Sequence, residues 1–284
     1  MQEKRRIVEL VVTADDFGAT PGTIKAVQMA FKAGGLSRAS LPANCQFFDD
    51  AVSVAKELNI PIGVHLNLTM WNSLSNTNGI LTNTKGCFNK SFLKLLCLPL
   101  FYDKNRLEEI VEIELESQFN RIIRSGLQPV YIDGHQHVHI IPWVRKVVDR
   151  LAQKHGIDEI RSFNESLWHT FMTRKRAFFK TGLFKYMIVR TIDSFNKKRG
   201  DTYFFSMVHS CNMKKSLFDN LKVPKKYSKV EVMLHPSFTD NYDHNSFNMY
   251  YRTFMKSNKR LRELEAAIYL AKLKLEKKFI IENH

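Results

Sequence analysis

Short apolar runs alternate with longer amphipathic stretches along most of the chain. The short runs are rich in β-branched residues and predict strands at 7–14, 38–43, 61–68, 129–133, 159–162, 203–207 and 229–234. The longer stretches carry apolar residues at helical spacing and predict helices at 23–33, 49–58, 107–125, 142–155 and 258–278. Residues 70–100 are rich in Asn, Ser and Thr and then apolar, which predicts a long loop with a short helix.

The alternation of strand and helix is typical of a parallel sheet covered by helices. We therefore predict an α/β fold, with a distorted (β/α) TIM-like barrel as the first interpretation and a doubly wound open sheet as the alternative. No internal repeat and no low-complexity linker interrupts the 284 residues. We expect a single domain over 1–284.

The segment 163–202 departs from this alternation, because aromatic and basic residues accumulate there. Nine Lys or Arg residues stand against three acidic ones, a net charge of +6. One interpretation is a pair of surface helices whose aromatic side chains enter the core. The other is a basic aromatic insertion that touches anionic lipid or a polymeric substrate.

The charge of the whole chain is also strongly basic. Lys and Arg number 43 and Asp and Glu 28, which gives a net charge of +15 and predicts an anionic partner: nucleic acid, acidic lipid headgroups or an acidic glycan.

The hydrophobic fraction of 44% excludes a disordered chain. No apolar run reaches the ~18 residues that cross a bilayer, and the N-terminus does not match a signal peptide. The four scattered cysteines form no C-x-x-C pair. We expect a cytoplasmic protein, with peripheral contact on the inner membrane face as an extension of that expectation.

Two adjacent carboxylates, Asp15 and Asp16, follow the first predicted strand directly. Adjacent side chains leave a strand in different directions, so one carboxylate could bind a metal while the other accepts a proton. The alternative is a helix N-cap with a neighbouring surface acid.

Histidines occur in or just after three later predicted strands. His135, His137 and His139 occupy alternate positions in D-G-H-Q-H-V-H and would point to one side of an extended chain, an arrangement that favours metal ligation. His65 lies inside an apolar strand, where a buried structural histidine is the alternative. His235 ends a strand before a proline, which suits a general acid. Together these residues are the equipment of a metal-assisted hydrolase of an amide or ester.

At these residues the sequence resembles the YdjC-like carbohydrate deacetylases, a family that includes chitooligosaccharide and hopanoid-associated deacetylases. The resemblance is carried by A-D-D-F-G, G-V-H-L-N-L-T, D-G-H-Q-H-V-H and a late strand ending in H-P, in that order through most of the chain. It implies a distorted (β/α) barrel that removes acetyl groups from N-acetylated sugars. The sequence departs from the pattern at Thr13, Gln136 and Ser237, which touches no proposed ligand and leaves the substrate open.

The resemblance also implies roles for the matching residues. Asp15 corresponds to the general base and His235 to the proton donor. The implied metal ligands are Asp16, His65 and His135. The implied substrate pocket includes His137 and His139, and we place Arg161 there as a residue that orients a carboxylate.

One divalent metal ion is expected, Mg²⁺ or Zn²⁺. Two imidazoles and a carboxylate suit zinc, cobalt, nickel or iron by ligand softness, whereas the family is commonly described with magnesium. The expected partner is an N-acetylated sugar in an oligosaccharide, a polysaccharide precursor or a lipid-linked glycan. Contact with an anionic membrane is a further expectation, no nucleic acid is expected, and self-association is left open.

Two other functions are compatible with the sequence. A metal-dependent hydrolase of another bond, such as a phosphoester, would use the same ligands. A non-catalytic protein that binds glycans or nucleic acid would use the fold and the basic charge alone. Release of acetate, release of phosphate and steeply salt-dependent DNA binding distinguish the three.

Overall fold

The computed structural model describes residues 8–173, 183–195, 201–219, 221, 223–239 and 249–275. The strands are β1 (Glu9–Ala14), β2 (Arg38–Leu41), β3 (Ile62–Leu66), β4 (Pro129–Gly134), β5 (Thr202–Phe204) and β6 (Lys229–Leu234). The helices are α1 (Pro21–Lys32), α2 (Phe48–Leu58), α3 (Phe92–Cys97), α4 (Lys104–Arg124), α5 (Pro142–Lys154), α6 (Leu167–Thr173), α7 (Leu183–Ser194), α8 (Met249–Met255) and α9 (Lys259–Leu275). Short 3₁₀ turns span Leu98–Leu100, His135–Ile140 and Lys215–Leu217.

The six strands form one parallel sheet in the order β4-β3-β2-β1-β6-β5. The central strand β1 pairs with β6 over its full length, from Glu9 opposite Lys229 to Ala14 opposite Leu234. Because all six strands run the same way, their carboxyl ends meet at one edge of the sheet. The α/β prediction is confirmed.

The sheet is not seen to close into a barrel in the described part of the chain, where β4 and β5 form its two edges. The segment after α5 lies between these edges instead. The Arg161 amide donates to the carbonyl of Ile132 in β4 (2.9 Å), and Asn164 donates through Nδ2 to the carbonyl of Thr202 in β5 (3.4 Å). A parallel six-stranded sheet is therefore observed, and the full TIM-like barrel stays a prediction.

The helix boundaries follow from local signals that the sequence carries. Thr20 caps α1 by accepting a hydrogen bond from the amide of Thr23, and Pro21 occupies its first turn. Asp103 caps α4 in the same way through the amide of Arg106. Asn59 ends α2 with φ of 52°, a left-handed conformation that Asn tolerates better than most residues. These residues therefore set where α1 and α4 begin and where α2 ends.

The predicted strand at 159–162 is wrong as a strand. Only Ile160 forms an isolated parallel bridge, to Ile132 of β4. The chain turns inward there because the next residue, Arg161, is buried and pairs with carboxylates. The remaining predicted strands and helices are found with ends shifted by a few residues, and the end of the helix predicted at 258–278 lies partly outside the described residues.

The segment 163–202 contains helices α6 and α7 where it is described. Phe163 and Tyr186 are buried in an apolar cluster, whereas Trp168 and Phe195 are 67% and 70% exposed. The core interpretation thus holds for Phe163 and Tyr186. Contact of the exposed aromatic residues with anionic lipid or a polymeric substrate stays a prediction. The basic residues at 174–176, 180 and 197–199 lie outside the described residues.

In the part of the chain that the structure describes, we find no helix with both the length and the apolar content that crossing a bilayer requires.

Candidate active site

A cavity of about 350 Å³ opens at the carboxyl ends of the strands. Six of the eight predicted site residues line it: Asp15, Asp16, His65, His135, His137 and His235. Residues of α3, α7 and α8 also contribute to its wall: Phe92, Leu93, Ile188, Val189, Tyr251 and Phe254. The predicted clusters, which are far apart in sequence, therefore share one concave site, as polar groups at the strand ends of parallel sheets often do.

The two adjacent carboxylates diverge because the chain turns sharply after β1. The amide of Asp15 continues the β1–β6 pairing by donating to the carbonyl of Leu234 (2.8 Å). Asp16 then adopts a φ of 62°, a left-handed conformation that few residues other than glycine take up. As a result Asp15 faces Arg161, and Asp16 faces the histidines.

Asp16, His65 and His135 form a compact cluster that could hold a metal ion. Oδ1 of Asp16 lies 3.0 Å from Nδ1 of His135 and 3.5 Å from Nε2 of His65. For bonds of about 2.1 Å, two ligand atoms lie about 3.0 Å apart in an octahedral site and about 3.4 Å apart in a tetrahedral one. The three residues are nearly fully buried. Their spacing and chemistry therefore fit one divalent cation.

The surroundings of this cluster favour positive charge at its centre. Oδ1 of Asp133 lies 2.7 Å from Nδ1 of His65 and also accepts the Ser40 hydroxyl, which leaves Nε2 of His65 facing Asp16. Burial acts against a charged His65, but Asp133 and Asp16 outweigh it and raise the pKa of His65 to about 10. Burial likewise opposes the ionised form of Asp16, yet His135 and His65 hold its pKa well below the usual range.

Arg161 anchors Asp15 from behind the cavity. Its two terminal nitrogens donate to the two oxygens of Asp15 at 2.8 and 2.9 Å, a bidentate pair. The same guanidinium contacts Asp133 (2.7 Å) and Glu231 (2.9 Å). Burial raises the pKa of Asp15 above its ordinary value, although the charge of Arg161 acts in the opposite direction. Asp15 is thus fixed in orientation and more basic than an exposed aspartate.

His235 is held by a buried carboxylate of α9. Oε2 of Glu263 accepts the His235 amide at 2.5 Å and lies 3.3 Å from its ring Nδ1. The other oxygen of Glu263 accepts the Met213 amide (3.0 Å). The ring also packs edge-on against Phe254, with centroids 5.6 Å apart. With Nδ1 on Glu263, Nε2 is the nitrogen available to the cavity.

The structure corrects the prediction that 135, 137 and 139 lie on an extended chain. β4 ends at Gly134, and Gln136 and His137 adopt φ of 50° and 67°, which bend the chain into a 3₁₀ turn. His135 and His137 therefore reach the cavity, whereas His139 turns behind it, where its Nε2 lies 3.2 Å from the carbonyl oxygen of Arg161.

The two predicted substrate contacts that do not line the cavity are His139 and Arg161. Both are buried, with exposures of 0% and 2%. Arg161 pairs with both oxygens of the Asp15 carboxylate. Contact of His139 and Arg161 with the substrate stays a prediction.

Several residues of the site carry no prediction from the sequence. Asp133 is the last residue of the strand predicted at 129–133. It could have been found by the same search for polar residues at strand ends that singled out His135. Glu231 lies inside β6. A charged residue within an apolar run was the sequence signal that could have indicated its buried ion pair. Glu263 and Tyr251 come from α9 and α8, and no local pattern marks them.

Comparisons with known proteins match this chain over most of its length. The family model described as YdjC-like protein matches residues 9–270. A carbohydrate deacetylase of Clostridium beijerinckii is 30% identical over 240 residues, 82% of this chain and 83% of that protein. A carbohydrate deacetylase of Danio rerio is 35% identical over 157 residues, 54% of this chain and about half (49%) of that protein.

A crystal structure from Enterococcus faecalis V583, of a protein described as a candidate for cellobiose-phosphate cleavage, shares the fold. Its TM-score is 0.66 at 21% sequence identity, over 98% of this chain and 97% of that one. The match to the family model extends across all six strands and so includes the strand ends that carry the cavity residues. The chain belongs to the YdjC-like family, and the relatives it matches are named carbohydrate deacetylases.

Proposed function

We propose that this protein hydrolyses the acetamido group of an N-acetylated sugar to acetate and an amino sugar. The observation that carries the proposal is the convergence of Asp15, His235 and the Asp16–His65–His135 cluster on one cavity. Amide hydrolysis needs a base for water, a stabilised oxyanion and an acid for the departing nitrogen. The cavity offers a group for each requirement, and the named relatives support a carbohydrate as the substrate.

The divalent ion, when bound to Asp16, His65 and His135, would polarise the acetyl carbonyl and acidify water. Mg²⁺ and Zn²⁺ are both candidates, because the donor–donor distances of 3.0 and 3.5 Å span octahedral and tetrahedral geometries. His65 holds its position through Asp133 and Ser40, an outer set of hydrogen bonds of the kind that orients metal-binding histidines.

Asp15 is the proposed base. It accepts a proton from the attacking water as the oxygen of that water bonds to the acetyl carbon. Its bidentate contact with Arg161 fixes both oxygens, and its raised pKa brings its basicity closer to neutral pH. Arg161 is a positioning residue, since it acts on the reaction only through Asp15.

His235 is the proposed acid. Protonated His235 donates from Nε2 to the sugar nitrogen as the carbon–nitrogen bond breaks, because an amine anion is too poor a leaving group. Glu263 supports the protonated ring at Nδ1. His137 also lines the cavity and is proposed to contact the sugar.

The direct test is acetate release from a panel of N-acetylated sugars by protein stripped of metal and then supplied with Mg²⁺, Zn²⁺ or Co²⁺ in turn. We expect acetate with at least one sugar, only after a metal is restored. Phosphate release from phosphoester controls in place of acetate would favour the alternative hydrolase and overturn the proposal.

The substitution Asp15→Asn separates the base from the metal site. We expect it to lower acetate release by at least about 10²-fold, the range that removal of a general base covers, while metal content stays at one ion per chain. Asp16→Asn is the matched variant, and it should lose the metal as well as the activity. An active Asp15→Asn enzyme would show that the base is another residue.

A further inference from the structure

An exposed apolar surface begins beside the cavity and extends along α3 and the turn after it. It consists of Leu93, Leu100, Phe101 and Tyr102, with exposed fractions of 54, 79, 77 and 45%. We call these four residues the apolar ridge. They are four of the thirteen large hydrophobic side chains that are exposed in the described residues, yet they fall within ten positions of sequence. Such clustering marks an interaction surface, whereas single exposed apolar residues are ordinary.

The ridge exists because the segment 92–101 is apolar on both sides. Leu95 and Leu98 are buried on one side, and the carbonyl of Leu95 accepts a hydrogen bond from Trp143 of α5. Leu93 in α3 and Leu100 in the 3₁₀ turn that follows it are both exposed, unlike these two anchoring leucines. The segment is thus pinned to the body of the protein and presents leucine and phenylalanine outward.

The ridge is continuous with the mouth of the cavity. Leu93 belongs to both, and its neighbour Phe92 also lines the cavity. Ile188 of α7 lines the cavity too, and it packs with Phe92 against the same apolar cluster. Two helices from distant parts of the sequence therefore give the cavity an apolar rim.

Basic side chains lie before, within and after the ridge in sequence. Lys90, Lys94, Lys104 and Arg106 are partly or fully exposed, and Asp103 is the one acidic residue between positions 90 and 106. Long basic side chains next to exposed apolar residues are typical of proteins that lie on anionic bilayers, because the apolar groups enter the interface while the charges remain at the headgroups. The charge of +15 on the whole chain acts in the same direction.

We propose that the apolar ridge docks on a bilayer containing anionic lipids and turns the cavity toward the membrane. The site would then receive an acetamido sugar carried on a lipid. This substrate class rests on the proposed function, whereas the docking itself does not. The ridge, in α3 and the turn after it, differs from the segment 163–202, for which the sequence predicts membrane contact.

The docking is tested by sedimentation of the full chain with vesicles of phosphatidylcholine alone and of phosphatidylcholine with 30% phosphatidylglycerol as an approximate composition. We expect binding to the anionic vesicles that weakens with salt. The double substitution Leu100→Ser/Phe101→Ser should weaken this binding by about 10- to 100-fold, as expected when two largely exposed apolar side chains no longer enter the interface.

The matched control is Ile113→Ser/Ile123→Ser, which removes two exposed apolar residues from α4 and should leave binding unchanged. Equal sedimentation of the ridge variant and the unsubstituted protein would overturn the proposal. So would a protein that stays off the vesicles and forms a dimer that the ridge substitutions dissociate, because the ridge would then be a contact between two copies of this chain.

The substrate class is tested with an octadecyl glycoside of N-acetylglucosamine mixed into the anionic vesicles and with the soluble methyl glycoside. The ridge substitutions should slow acetate release from the vesicle-borne sugar and leave release from the soluble sugar unchanged. An equal effect on both would overturn the lipid-linked substrate. Failure to hydrolyse either glycoside would count against the proposed function, while sedimentation still decides the docking.

Discussion

The hydroxyl of Tyr251 donates a hydrogen bond of 2.6 Å to Oδ2 of Asp16. This contact occupies one carboxylate oxygen and leaves Oδ1 facing His65 and His135. The ring of Tyr251 also packs edge-on against His135, with centroids 5.4 Å apart. One residue of α8 therefore restrains two proposed ligands.

From this contact we predict that Tyr251→Phe weakens metal binding by about 10- to 100-fold, the usual cost of losing an outer hydrogen bond to a metal ligand. The ring and its packing stay, so the fold should be retained. Isothermal titration calorimetry with Zn²⁺ measures the change in metal affinity. Tyr269→Phe removes a hydroxyl contact to Asp219, and neither of these residues lines the cavity, so this control should bind the metal normally.

His139 connects the stability of the protein to pH. Burial lowers the pKa of His139 to about 3, whereas an unfolded chain titrates this residue near 6.5. Between these values the unfolded chain binds a proton that the folded protein does not. The contribution of His139 is therefore fully present above pH 6.5 and is lost progressively as the pH falls toward 3.

We predict that His139→Gln reduces the acid sensitivity of the metal-free protein. The slope of unfolding free energy against pH between 6.5 and 3 should fall by up to about 1.4 kcal/mol per pH unit, the effect of one proton. Urea denaturation at a series of pH values gives both slopes. Parallel slopes for the two proteins would show that His139 does not cause the effect.

At the scale of the elements, β3 and β4 carry His65 and His135 to the cavity, and a glycine allows their packing. Gly63 lies opposite Tyr131 in the parallel register, and a Cβ added at Gly63 would overlap the Tyr131 ring. The guanidinium carbon of Arg38 lies 3.7 Å from the centroid of the same ring. The Tyr131 side chain is fully buried, so any movement of the ring would disturb other core contacts.

We predict that Gly63→Ala destabilises the protein by about 1–3 kcal/mol, the usual cost of overpacking a dense core. The double substitution Gly63→Ala/Tyr131→Leu tests whether the Tyr131 ring causes this loss of stability. Leucine is smaller than tyrosine and should remove part of the overlap with the new Cβ at position 63. The double variant should then be more stable than the sum of the two single changes allows, as urea denaturation of all four proteins would show. Additive effects would place the strain elsewhere.

At the scale of the whole molecule, a buried charge network holds the sheet together beneath the cavity. Arg161 contacts Asp15 after β1, Asp133 in β4 and Glu231 in β6. Arg38 of β2 contacts Glu231 (3.3 Å) and Glu159 (2.6 Å). Through Arg161 the network connects β4 with β6, two strands that do not neighbour one another in the sheet.

Removing the central cation should therefore affect the fold as a whole. We predict that Arg161→Met lowers the free energy of unfolding by about 3–5 kcal/mol, because three buried carboxylates lose a partner. Arg150→Met, which breaks exposed ion pairs with Glu108 and Glu112, should cost at most about 1 kcal/mol. Similar losses in the two variants would show that the buried network does not stabilise the sheet.

The sequence by itself determined the elements and the cavity residues at the strand ends. β6 was predicted with both ends correct, at 229–234, because its apolar run is bounded by local polar signals. Asp15, Asp16 and His135 were singled out because they come just after apolar runs, and His65 because it lies inside one. Parallel strands bring these positions together at one edge of the sheet. Their proposed roles came from a resemblance and remain proposals.

Only the tertiary structure decided how these residues are held and which neighbours they meet. The turn at Gln136 and His137 uses left-handed backbone that no local pattern announces, and it separates His139 from the cavity. Tyr251 and Glu263 reach Asp16 and His235 across 235 and 28 residues of sequence. The physical reason is that hydrophobic periodicity reports burial along one element, whereas contacts between elements depend on the order and packing of the whole sheet.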